Sequence, residues 1–479
     1  MEKKTVKRVK TGAFERRFSM ARAGFLAGAR YATLSAGTFF VSRDQREEMR
    51  RNILSRQAQW LVSELSELKG SIVKIGQMMA LFGEHFLPDE VTAALHTLEN
   101  STTALEWPAI ERQLLAQLGA ERLAELDVEK TPLGAASLGQ VHKAIRKRDG
   151  KVLCLKIQYP GVASAIDSDL NAMVSLLKMT HLVPITREFN AWLDEVRTML
   201  GREVDYQLEL ETTRLFRDLL KDDPRFVVPE VFPDYSTDCV LCTSFEAGIS
   251  INDAPLAQLS QERRNRLGRA IMELCCSEIF IWEKMQTDPN FGNYLLRLSD
   301  DGEDTLVLLD FGAIRHFEKN VIAAGREMIR GAFHHDAQRL QRALQTLGFL
   351  KGAPQRVLDD FAELCFEAIE VLQDPDKFPP PSEVLNDKGE YLWGNSELPG
   401  RVMAKAGRNS LSVYFDVPPK EFIFLFRKLL GAYTFLHVIK AEIRGDTLLR
   451  PFLPRFEAED IHLMEQLDDS NDALPVPAT

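Results

Sequence analysis

The sequence predicts an α+β fold of two lobes preceded by a helical extension, and three observations predict it. At 479 residues the chain is too long for one ordinary core. Its patterns run in a fixed order: a helical stretch, a small mixed region, a strand connector and a mostly helical remainder. The loops richest in Asp and Asn, the residues that carry chemistry, come late. This is the layout of a bilobal protein-kinase-like fold.

Composition narrows the class. Hydrophobic residues make up 45% and charged residues 27%, as in a soluble globular protein. A net charge of −11 argues against nucleic acid as a partner. The charge is uneven: residues 1–60 carry fourteen Lys and Arg against five Asp and Glu, so the rest of the chain is strongly acidic. A basic arm on an acidic body suits an anionic membrane surface. Phe14, Phe18, Phe25 and Leu26 would supply the apolar side of an interfacial helix. The most hydrophobic window, Gly24 to Val41, has Arg30 near its middle, which argues against spanning. Six cysteines are too few for a disulfide framework in a chain this long and suit a reducing compartment. Cys239 and Cys242 form one CxxC on a strand, where i and i+3 face opposite sides, so both read as structural.

The elements follow in order. Residues 1–43 form the basic arm. Residues 44–130 are the helical extension, with Leu61, Leu65, Leu68, Ile72, Ile75, Met79 and Phe82 at three- and four-residue steps. Pro88 and Asp89 break that pattern, and Trp107–Pro108 opens a further helix. Residues 131–247 are the small mixed lobe. There LGAASLGQVHKAI and VLCLKIQ flank the turn RKRDGK as a hairpin, and strands return over 226–245. Residues 248–455 form the mainly helical large lobe, with YLLRL and TLVLLDFG flanking a polar turn. Residues 456–479 are an acidic tail expected to be disordered.

Phosphoryl transfer asks a protein to place phosphates, hold metal ions and neutralise charge. Five segments supply those parts. Asp310 in LLDFG ends an apolar strand, where its carboxylate can meet Mg²⁺. Asp288 and Asn293 in QTDPNFGN stand five apart, as do the base-equivalent Asp and the metal-binding Asn of kinase catalytic loops. Lys156 shares a strand face with Val152 and Cys154, and an inward lysine needs a partner or a phosphate. Glu203 and Glu209, on a helix after that strand, could each hold it; spacing leaves the choice open. In TPLGAASLGQVH, Gly134, Ala135, Ala136 and Ser137 replace a glycine-rich loop, and such small residues still let backbone N–H groups reach phosphate oxygens.

GSIVKIGQMMA adds a Lys-x-Gly-Gln motif, Lys74, Gly76 and Gln77, in the extension. With GAASLGQVH, LKIQYPGV, EVDYQLELE, QTDPNFGN and LLDFGA, it resembles the AarF/UbiB family of atypical kinases over roughly residues 44–345. The resemblance implies ATP and Mg²⁺ as cofactors. It implies that Lys156 lies over the phosphates, paired with Glu209, that Asp288 is the catalytic-loop aspartate, and that Asn293 and Asp310 are the metal ligands. It implies an adenine-reading hinge at Ser244, Phe245, Glu246 and Ala247, and Glu203 as the partner of Lys74. Lys74 and Gln77 share a helix face, and a face covering the active site would exclude a protein substrate. Family members are regarded as ATPases or small-molecule kinases linked to ubiquinone and isoprenoid-lipid metabolism, often at membranes. A silent nucleotide-binding scaffold and an ATP-switched lipid-binding chaperone are the alternatives.

Two departures qualify the match. The family's small-residue loop often reads Ala-Ala-Ala-Ser, where this chain begins with Gly134. Bacterial members tied most directly to ubiquinone synthesis carry a hydrophobic C-terminal anchor, which is not seen here. The expected setting is cytoplasmic, peripheral at an inner membrane, ahead of mitochondrial.

Overall fold

The structure is a computed structural model that describes residues 5–6, 71–82, 91–92, 95, 104–179, 187–251, 256, 258–288, 290–347, 349–350, 352–409 and 420–472. The interfacial helix and most of the basic arm lie outside these residues. So do residues 44–70, the break at Pro88 and Asp89, and residues 473–479. Among the described residues, no helix is long and apolar enough to cross a membrane.

The chain forms two compact units: residues 1–216 with 229–245, and residues 217–228 with 246–479. In the first, strands β1 (Thr5–Val6) and β2 (Ala104–Leu105) pair in parallel. Strands β3 (Leu126–Val128), β5 (Gly139–Arg146), β6 (Val152–Gln158) and β8 (Val240–Ser244) follow each other across an antiparallel sheet, and β4 (Gly134–Ala135) adds to β5. The two-residue period sorts its faces. Leu153, Leu155, Ile157, Val240 and Cys242 point into a core closed by Ile110, Leu114 and Leu118. Val152, Cys154 and Lys156 take the other, half-buried face. Gly139 has to be glycine, because a Cβ there would lie 2.4 Å from the Ile157 carbonyl oxygen.

The helices of this unit are α1 (Ser71–Phe82), α2 (Trp107–Ala124), α3 (Val162–Met179), α4 (Arg187–Glu203) and α5 (Tyr206–Leu220), the last running on into the second unit. Helix α1 packs on α3 and α4. Helices α4 and α5 correct the expectation of one helix carrying both Glu203 and Glu209. Asp205 stands between them and its carboxylate accepts the Leu208 amide at 3.0 Å, so a new helix starts there.

In the second unit β7 (Phe226–Val227), β12 (Thr305–Leu308), β11 (Tyr294–Arg297) and β9 (Ile249–Ser250) form a sheet in that order, with β7 and β12 parallel. Strands β10 (Lys284–Gln286) and β13 (Ile314–His316) pair antiparallel. Helix α6 (Gln261–Ser277) begins at Ser260, whose hydroxyl accepts the Arg263 amide, and runs into a π-helical turn, Glu278–Trp282. The turn ends at Glu283, whose φ of 54° reverses the chain into β10. Beyond lie α7 (Lys319–His334), α8 (Ala337–Thr346), α9 (Gln355–Ala368), α10 (Leu398–Asn409), α11 (Lys420–Val438), α12 (Gly445–Leu449) and α13 (Glu457–Asp472), with a small antiparallel pair of β14 (Tyr391–Leu392) and β15 (Glu442–Ile443).

Helix α13 corrects the expectation of a disordered tail over its length. Its Asp460 is buried and accepts from Arg326 at 3.1 Å and from Arg330 at 2.8 Å, both on α7. An acidic segment folds when buried cations neutralise it, and composition alone does not show those partners.

All six cysteines are free thiols. Burial pushes Cys154 up to about 11 and Cys275 and Cys365 up to about 12, and it raises Cys239, Cys242 and Cys276 as well. Because the thiolate is the reactive form, a thiol reagent near neutral pH should label the native chain far more slowly than the unfolded one. Thionitrobenzoate release with and without denaturant measures this.

Candidate active site

The first unit holds Lys74 and Lys156. Helix α5 starts at Asp205, so Glu209 sits in its first turn, where the helix dipole favours a carboxylate. Lys156 donates to both Glu209 oxygens, at 2.7 and 2.8 Å. Glu209 is buried, while the Lys156 side chain keeps 29% of its surface open. A buried carboxylate is costly unless paired; here it fixes one lysine geometrically while leaving that lysine reachable. The Lys156 ammonium also lies 5.3 Å from the centre of the Tyr206 ring.

The other glutamate goes elsewhere. Glu203, at the end of α4, pairs with Lys74 of α1 at 2.5 Å. The two acids left open by spacing are therefore divided between two lysines. Gly76 is buried in α1, and Gln77 is half-buried.

Gly134 and Ala135 form β4, opposite Val141 and Gln140 of β5. The Ala136 amide closes the following turn on the Gly139 carbonyl at 2.8 Å, leaving Ala136 exposed and Ser137 half-buried. Ser244 ends β8 and accepts the Glu230 amide through its hydroxyl at 2.9 Å. The Phe245 amide donates to the Val152 carbonyl at 3.1 Å. The unit boundary falls between Phe245 and Glu246, inside the predicted hinge. In the second unit Glu246 pairs with Arg297 at 2.7 Å, and Arg297 also donates to the Ala247 carbonyl at 3.3 Å.

The second unit brings Asp288, Asn293 and Asp310 together at the ends of β10, β11 and β12. The Asn293 carboxamide donates to Asp288 at 2.9 Å. This leaves its oxygen as the acceptor. The Leu309 amide donates to the Asn293 carbonyl at 2.9 Å, tying the segment before Asp310 to the catalytic loop. An Asp310 oxygen accepts the Gly312 amide at 2.9 Å, which holds the DFG turn, and Phe311 is buried as its anchor. The Asn290 side chain accepts the Gly292 amide and shapes the turn leading to Asn293. This set is hard and oxygen-donating, the kind that Mg²⁺ takes.

Three features escaped the sequence reading. Gln286 accepts the Asp288 amide at 3.0 Å and donates to the Asp310 carbonyl at 2.5 Å. Glu278 and Lys428 form a buried pair at 2.5 Å behind it. Burial pushes the Glu278 carboxyl above its usual range, against the pull of Lys428. Arg326 and Arg330 lie at the heart of a buried charge network. An inward polar residue directly before the TDPNFGN segment was the only available signal, and it pointed to Gln286 alone.

An antiparallel sheet bearing a glutamate-held lysine, with an Asp–Asn–Asp cluster further along the chain, defines a protein-kinase-like protein. A family model described as the ABC1 atypical kinase-like domain matches residues 97–344, and the chain belongs to that family, the AarF/UbiB group its motifs resemble. The atypical kinase coq-8, mitochondrial, of Caenorhabditis elegans is 30% identical over 431 residues, spanning 89% of this chain and 55% of that protein. The atypical kinase COQ8, mitochondrial, of Saccharomyces cerevisiae is 36% identical over 301 residues, spanning 63% and 59%. Rattus norvegicus COQ8B, also named an atypical mitochondrial kinase, is 30% identical over 88% of this chain and 74% of its own length. The chain thus spans little more than half the length of the worm and yeast relatives. A solved complex of Rv3197 with erythromycin, from Mycobacterium tuberculosis, aligns with a TM-score of 0.55 over 86% of this chain and 99% of that one, at 23% identity. That likeness speaks for the fold alone.

These names overturn the cytoplasmic expectation. The worm, yeast and rat relatives are all named mitochondrial. Basic, acid-poor composition is shared by membrane-binding arms and organelle transit peptides, so the sequence reading had no means of choosing between them.

Proposed function

We propose that the chain is a Mg²⁺-dependent, ATP-binding atypical kinase or ATPase of the AarF/UbiB type, supporting ubiquinone or other isoprenoid-lipid metabolism. The observation that carries this reading is Lys156 held by both oxygens of buried Glu209. Such a pair orients an ammonium toward phosphates. Gly134, Ala135, Ala136 and Ser137 would offer backbone N–H groups to the same phosphates. Ser244, Phe245, Glu246 and Ala247 would read the base.

Asn293 and Asp310 would hold Mg²⁺, which neutralises phosphate charge when bound. Asp288, oriented by Asn293, would accept the proton of the attacking hydroxyl or water. Lys74, Gly76 and Gln77, with Glu203 holding the lysine, would restrict which acceptors reach the phosphates. The basic arm would meet an anionic membrane surface, where an isoprenoid lipid is available. The names of the relatives bring a mitochondrial setting into this reading.

The test is phosphate release from Mg·ATP by the full chain, with and without anionic vesicles, beside a chelated control. Release that needs magnesium and rises with vesicles is expected. ATP that neither binds nor turns over at millimolar concentration in any of these conditions would overturn the reading.

A further inference from the structure

We propose that Gln286 is a positioning residue that locks the catalytic-loop aspartate and the metal-binding aspartate into one register, and that helix α11 supplies the anchor. The inference rests on the nucleotide reading above and gives a role to Gln286, the first residue of QTDPNFGN, which that reading does not use.

Four observations carry it. The Gln286 carboxamide is bidentate: its oxygen accepts the Asp288 amide at 3.0 Å, and its nitrogen donates to the Asp310 carbonyl at 2.5 Å. It thus bridges two segments whose aspartates are 22 positions apart. The residue is 6% exposed, so water does not readily replace these bonds. Its own amide is held at 3.3 Å by Glu278 of the π-helical turn, and Glu278 is held at 2.5 Å by Lys428 of α11. The same turn is gripped from α7, where Arg326 donates to the Ile279 carbonyl at 3.2 Å and pairs with Glu283 at 2.9 Å.

A buried ion pair is seldom a net source of stability, and it is better used to specify geometry. Here the specified element is β10, and the end of β10 is Gln286. Thr287 reinforces the tie, since its amide and hydroxyl both donate to the Ala313 carbonyl, at 3.2 and 2.8 Å. The carboxamide uses its oxygen as an acceptor and one of its two N–H groups as a donor. Glutamate can accept from Asp288 but can donate to the Asp310 carbonyl only when protonated.

This asymmetry gives a test that a purely structural role would not pass. Gln286→Leu removes both bonds at similar volume. Its turnover of Mg·ATP should fall roughly 10- to 100-fold, the scale expected when catalytic groups are misplaced by about an ångström. The concentration of Mg²⁺ at half-activity should rise while ATP binding stays near wild type.

Gln286→Glu keeps an acceptor for the Asp288 amide, but its carboxylate offers no donor to the Asp310 carbonyl, so its turnover should fall as that of Gln286→Leu does.

Hydrogen exchange reads the same tie without turnover. Peptides covering 284–293 and 309–314 should both exchange faster in Gln286→Leu. Wild-type rate, wild-type Mg²⁺ response and unchanged exchange in Gln286→Leu would overturn the proposal, as would wild-type turnover in Gln286→Glu. A wild-type protein without ATP turnover would instead strike at the nucleotide reading, and exchange would still decide the role of Gln286.

Discussion

Asp310→Asn should remove magnesium-dependent ATP turnover while leaving the fold in place. One Asp310 oxygen accepts the Gly312 amide at 2.9 Å, and an asparagine oxygen can still accept it. The DFG turn and buried Phe311 should therefore persist. What disappears is a full negative charge on the atoms that would face the metal. The same substitution leaves the Gln286 bond to the Asp310 carbonyl untouched, because that bond is to backbone. The expected loss is roughly 10²–10³-fold in turnover, or about 3–4 kcal/mol of transition-state stabilisation. ATP binding measured without metal should change little, and the response to added Mg²⁺ should flatten. Undiminished turnover would mean that Asp310 does not hold the metal.

Arg330→Met should give the largest loss of stability in the second unit. The Arg330 side chain is 1% exposed. Its guanidinium donates to Glu327 at 2.6 Å, to Asp460 at 2.8 Å, and to the carbonyls of Leu453 at 2.7 Å and Arg455 at 2.5 Å. Methionine fills part of the volume but leaves two buried carboxylates short of a cation and two carbonyls without their donor. Removing one partner of a buried charge network costs about 3–5 kcal/mol. The control is Arg197→Met, which breaks an exposed pair with Asp167 and should cost less than about 1 kcal/mol. Denaturant unfolding of both variants measures the difference, and hydrogen exchange over 457–472 should localise the Arg330 effect to α13. Equal midpoints for the two variants would show that the network adds nothing beyond its surface counterpart.

Much of the architecture was legible because it follows local periods. The β5–β6 hairpin shows as two alternating runs around a charged turn, and the β11–β12 hairpin leads visibly into LLDFG. Asp288, Asn293 and Asp310 were found because they sit at motif spacing on adjacent strand ends. The division of Glu203 and Glu209 between Lys74 and Lys156 was not legible from the residues. It depends on a helix break at Asp205, and an aspartate inside a charged run looks like any other charge.

The same limit hid helix α13. Asp460 is neutralised by Arg326 and Arg330, well over a hundred residues earlier in the chain. Composition sees the acid but not the distant base. Gln286 escaped for a different reason: its place before TDPNFGN marks it, but the two backbone groups it bonds leave no mark in a sequence.

The parallel pairing of β7 with β12 bears on how the chain is made. Phe226 lies opposite Leu306, so the ribosome must add about 80 residues before the edge strand meets its neighbour. At synthesis rates of ~5–20 residues per second this is a wait of roughly 4–16 s. Meanwhile the residues on either side of 217–228 belong to the other unit and can already be folding. The short segment is thus a held-out thread, emerging early and sewn in late. A stretch of slow codons between positions 228 and 306 would lengthen that exposure without changing a single amino acid.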